Sequence, residues 1–137
     1  MQRRKLFISL FVLCLLFVSV SPTFASSWKY VTTTNAVEHY FDTETAHYIT
    51  ISDETYIEAW VLGVYKAVKP DGAKTYKDKL WLKLDKNAYA QRAHYVYDIN
   101  GTVITSLTQR GTWHDCVPGS GGEKLYNTIK THVEQNN

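Results

Sequence analysis

A chain of 137 residues with 15 Lys+Arg, 13 Asp+Glu and two cysteines has room for one domain with a modest hydrophobic core. Its first 25 residues hold three of the basic side chains (Arg3, Arg4, Lys5) and no acidic one, which leaves 12 basic against 13 acidic residues and a net charge near −1 for the remainder. Lysines and acids interleave from Lys74 to Lys86, so neither a nucleic-acid groove nor a polybasic membrane patch is supported.

Residues 1–25 run from that basic start through an apolar stretch, 6–20, to Pro22 and Thr23-Phe24-Ala25. This is the pattern of a secretory signal peptide with a small-x-small cleavage site. The apolar stretch falls short of the roughly 20 residues a spanning helix needs, so no stable membrane span is expected after cleavage. Residues 26–137 are expected to form one exported domain, in the periplasm, the cell envelope or the medium. Cys14 lies within the leader behind Leu13, where a lipid-attachment site wants a small residue. Cys116 is then alone, and an internal disulfide is not available.

Along the domain, 28–33 and 37–41 are short aromatic and β-branched runs that read as strands. Residues 55–68 (TYIEAWVLGVYKAV) turn apolar on both alternating faces after Ala59, as a central strand does. Leu80, Leu82 and Leu84 alternate with Trp81, Lys83 and Asp85, which predicts a half-exposed strand. Segments 89–98 and 102–107 flank Asn100-Gly101, a pair suited to a type I′ hairpin turn. Tyr89, Tyr95 and Tyr97 share one strand face by period two, either as core or as a recognition surface. Leu125, Ile129 and Val133 recur every four residues with His132 between them, which predicts a C-terminal helix lying on the sheet. The fold class is α+β: a small antiparallel β-sheet of about five to six strands packed with a C-terminal α-helix.

The stretch HDCVPGSGGEKLY, 114–126, offers three kinds of chemistry. Ser120 and Glu123 match a capping box, in which the serine oxygen accepts from the N–H three residues on and the glutamate reaches back to the serine N–H. A phosphate loop would need G-x-x-x-x-G-K-[ST]; here Glu123 follows Gly122, and a carboxylate in the first turn repels an anion. In an extended segment His114 and Cys116 share a face while Asp115 points away, so the trio is no triad, although His94, His39 or Asp98 could supply a partner from elsewhere. Zinc at His114 and Cys116 would need further ligands at a spacing the sequence does not offer. Cys116 therefore reads as a buried structural thiol. His39, His47, His94 and His132 read as structural residues, and Asp42 with Glu44 as a solvated pair. No catalytic, cofactor-binding or metal residue is assigned, and no cofactor is expected.

Trp28-Lys-Tyr-Val, YFD at 40–42, AWV at 59–61, YDINGTVI at 97–104 and the block Trp113…VPGSGGEKLYNTI ending at Ile129 resemble the bacterial surface-adhesin protein E family over nearly all of 26–137. The closing block is the most specific part. The resemblance implies an antiparallel sheet with a C-terminal helix in an exported, non-enzymatic protein that attaches to host extracellular-matrix or serum proteins. Apart from the resemblance, a homodimer is left open. Members often carry a lipid anchor and two cysteines; this chain has Asn87 and Thr131 or Val133 in those neighbourhoods, and Cys116 instead. The expected function is thus an exported protein-binding module. The alternatives are an envelope protein of structural or housekeeping role on the same fold, or a thiol-dependent enzyme using Cys116 and His114.

Overall fold

β-Branched and aromatic residues fill the alternating runs, and Gly or Asn sits where the chain must turn back with positive φ, at Gly72, Asn87 and Gly101. The result, in a computed structural model that describes residues 26–108 and 111–137, is an antiparallel sheet covered on one side by a helix. The expected signal peptide lies outside the described residues. In chain order the elements are β1 Trp28–Thr33, β2 Val37–Asp42, β3 His47–Ile51, β4 Glu54–Tyr65, β5 Thr75–Lys83, β6 Ala88–Tyr97, β7 Val103–Thr108, β8 Trp113–Asp115 and α1 Gly121–Asn136. No helix among the described residues is long and apolar enough to cross a membrane.

The main path of the sheet runs β1-β2-β4-β5-β6-β7, which accounts for the six strands read from the sequence. Two short strands are added. β4 is longer than its neighbour β2, so β3 pairs with its first half, and β8 pairs with the first half of β6 in the same way. β8 has no apolar alternation of its own and β3 has only Ile49 and Ile51 about Thr50; each fills an edge that a long strand leaves over.

The apolar stripe of α1 lies on β1, β2 and β4. Leu125, Tyr126, Ile129 and Val133 meet Phe41, Ile57, Ala59, Val61, Leu80 and Leu82 in one core. Phe41, Ile57, Leu82, Ile129 and Val133 are fully buried, each stabilising the fold by about 1.5–3 kcal/mol. Two polar ties fix the helix: Tyr126 donates to the Lys83 carbonyl at 3.0 Å, and His132 Nε2 lies 3.1 Å from the Thr43 carbonyl.

Three sequence expectations need correction in detail. The Asn100-Gly101 hairpin forms, but only Gly101 has positive φ, and the Gly101 N–H bonds the Asp98 carbonyl while the Asp98 N–H bonds Thr102. This is a type I turn closed by a glycine bulge. Asp98 favours it, because its Oδ1 accepts from the N–H groups of both Asn100 and Thr102. Second, Asp42 is buried instead of solvated, its Oδ1 accepting from the Ser27 and Glu44 N–H groups at 3.1 Å each. Third, Tyr89 does not share a face with Tyr95 and Tyr97. Lys79 pairs with Ala93 but Leu80 pairs with Gln91, so Arg92 is the extra residue of a β-bulge and reverses the alternation of β6.

Candidate functional site

The register assigns two different surfaces. On the helix side stand Ile57, Ala59, Val61, Leu80, Leu82 and Tyr89; on the other side the odd and even positions exchange roles. That helix-free face holds all four tryptophans of the chain, Trp28, Trp60, Trp81 and Trp113, with Tyr56, Tyr95 and Tyr97.

These aromatic groups form a continuous array threaded by cations. Tyr56 stacks on Trp81 and on Trp113 with ring centroids 5.7 and 5.5 Å apart. The Arg92 guanidinium lies 4.1 Å from the Trp81 ring centre and 5.4 Å from that of Trp113. Further along, Lys79 lies over Trp60, which packs against Tyr95, and Lys77 lies 5.6 Å from the rings of both Trp28 and Tyr97. Acidic side chains order the array: Glu58 accepts from Trp81 Nε1 at 2.7 Å and pairs with Lys79 at 3.8 Å, and Glu54 pairs with Lys83 and accepts from the Tyr56 hydroxyl. The bond to Glu54 pushes the Tyr56 hydroxyl above the usual phenol range. The small residues beneath, Ala88, Ala90 and Ala93, are buried, which lets the large rings lie close to the sheet. A depression of about 370 Å³ opens at one end between Trp28, Trp60, Lys77, Tyr95 and Tyr97.

The helix side carries a second cluster. His94 Nδ1 donates to Asp78 Oδ1 at 2.6 Å, and the Tyr76 hydroxyl meets His39 Nδ1 at 3.2 Å. Burial drives every shift here: it holds His39 below the ordinary imidazole value, lifts Asp78 above the carboxylate range against the bond from His94, and raises Tyr76. A tyrosine ring fits at position 76 because its cross-strand partner is Gly63. A Cβ at Gly63 would fall 2.1 Å from Tyr76 Cε1 and Cζ.

Cys116 is buried in the main core. Burial raises its thiol, and the carboxylates of Glu123 and Asp115 raise it further, so it is held away from the nucleophilic thiolate. His114 is exposed and contacts Tyr89, with ring centroids 6.0 Å apart. Among the described residues no hydrogen bond joins Cys116 to His114, His94, His39 or Asp98, and no group of His, Cys, Asp and Glu is arranged to hold a metal ion. Ser120 is the N-cap of α1, its Oγ accepting from the Glu123 N–H at 3.2 Å. The return bond differs from the expected box. Glu123 Oε2 accepts from the Gly119 N–H at 2.7 Å, because the Ser120 N–H is already bonded to the Val117 carbonyl.

Comparisons with protein-family models, with curated proteins and with solved structures find no match to this chain.

Proposed function

We propose that the protein is an exported, non-enzymatic binding module that recognises a protein ligand through the helix-free face of its sheet. The observation that carries this reading is the gathering of all four tryptophans with Tyr56, Tyr95, Tyr97 and Arg92 on that one face. A solvated sheet face is ordinarily polar. Trp, Tyr and Arg are the side chains that anchor protein interfaces, since they bring large contact area with few rotatable bonds. The lysines paired with Glu54 and Glu58 supply the polar rim. The resemblance to the surface-adhesin protein E family supplies the ligand class, host extracellular-matrix or serum proteins, and the exported location.

The test is surface plasmon resonance against immobilised extracellular-matrix and serum proteins. Saturable binding is expected that falls by about tenfold or more in Trp60→Ala or Trp81→Ala, with Asp98→Asn as an unaffected control. Binding that survives both substitutions would refute the assigned face. Protease shaving of intact cells should remove the protein; a purely periplasmic location would favour the structural or housekeeping role instead.

A further inference from the structure

Beneath the first turn of α1, on the face opposite the tryptophans, lies a cavity of about 200 Å³. Its floor is apolar, from Val61, Leu80, Leu82 and Leu125. Its sides carry the rings of Tyr76, Tyr89 and Tyr126 with His39, and one carboxylate, Asp78. No lysine or arginine is among the described residues that line it. We propose that this cavity binds a small organic ammonium ion bearing a single ring, with the ammonium on Asp78 between the faces of Tyr76 and Tyr89 and the ring on the leucine floor.

Three observations converge on that class. The size suits one ring: an engineered apolar cavity of about 150 Å³ accepts benzene, and this one is a little larger. The charge suits a cation, because among the described lining residues Asp78 is the one carboxylate and no lysine or arginine stands beside it. Burial lowers His39 below the ordinary imidazole value, the imidazole already bonded to Asp78 is that of His94, and Glu123 in the first helical turn offsets the positive end of the helix. The geometry suits an ammonium, since a carboxylate beside tyrosine rings is the arrangement that holds organic cations by charge and by the negative faces of the rings. His94 braces the acid from behind at 2.6 Å and Tyr76 is held by His39 at 3.2 Å, so the polar wall is preorganised by contacts within the sheet. This site is separate from the proposed protein-binding face and stands whether or not that face binds protein.

Isothermal titration calorimetry at neutral pH with benzylamine, benzyl alcohol and benzoate distinguishes charge from shape. Benzylamine is expected to bind about tenfold more tightly than the alcohol, and benzoate to give no saturable heat. Asp78→Asn, which keeps the volume, should bring benzylamine to the level of the alcohol. Equal affinities for amine and alcohol, or no binding of benzylamine, would overturn the proposal. Amide chemical-shift mapping on the unaltered protein gives a readout that does not depend on the variant folding. Shifts are expected at Asp78, Tyr89, Gly121 and Gly122; shifts confined to Trp28, Trp60 and Tyr97 would equally overturn it.

Discussion

Gly63→Ala should destabilise the protein by about 2 kcal/mol, although alanine is ordinarily the better strand residue. Glycine inside a strand costs roughly 0.5–1 kcal/mol relative to alanine, so a generic reading expects a gain. Here the new Cβ would stand 2.1 Å from two ring atoms of Tyr76 and 2.6 Å from its oxygen. The ring cannot swing away freely. It packs against Tyr65 and His94 with centroids 5.6 and 5.9 Å apart and is bonded to His39. Displacing it forfeits a hydrogen bond of about 1 kcal/mol and ring contacts of roughly 0.5–1.5 kcal/mol, and forces a strained rotamer of similar cost. Together these outweigh the strand gain by about 2 kcal/mol, or roughly 8 °C in melting temperature for a domain of this size. The assay is thermal unfolding of a double-mutant cycle with Tyr76→Val. With the ring gone, Gly63→Ala should become neutral or raise the midpoint by a few degrees, on the order of the strand gain alone. Equal costs in both backgrounds would refute the ring-over-glycine packing.

At the helix start, Ser120→Ala should cost about 1 kcal/mol by thermal unfolding. Glu123→Ala should cost less, and the double variant should fall short of the sum because both bonds close one turn. The Cys116 thiol should resist iodoacetamide in the native protein and react on unfolding, and Cys116→Ala should cost about 1 kcal/mol while leaving any ligand binding intact; rapid native alkylation would reinstate the thiol-enzyme reading. His39 has a folded-state pKa below its ordinary 6.5, so its contribution to stability is full above that value and lost as pH falls through the folded pKa. Denaturant midpoints measured across that window should therefore decline toward acid, and His39→Gln should flatten part of the decline.

The helix was readable because Leu125, Ile129 and Val133 carry one period and Ser120 marks its start, both local signals. The six main strands were readable for the same reason. β3 and β8 were not, since the half-edges of β4 and β6 create them. The type I turn escaped because the side chain of Asp98 overrides the preference of Asn100-Gly101. The aromatic load was visible as composition, but its concentration on one face depends on register. The cavity left one trace in the sequence: in Tyr76-x-Asp78-x-Leu80-x-Leu82 an acid occupies an inward position in a row of apolar residues. His39 joins that row from 37 residues before Tyr76, a proximity that only the pairing of β2, β4 and β5 produces.

The bulge at Arg92 behaves like a frameshift written in space. One surplus residue inverts the parity of β6, so that Tyr89 serves the helix side while Tyr95 and Tyr97 serve the tryptophan side. Deleting that single residue would not leave a local scar. It would turn one half of the strand over, sending either Tyr89 out among the tryptophans or His94 and Val96 away from Asp78 and Tyr76. The allocation of side chains between two opposite surfaces is thus held by a counting device one residue deep, and insertions or deletions near it are far more consequential than substitutions.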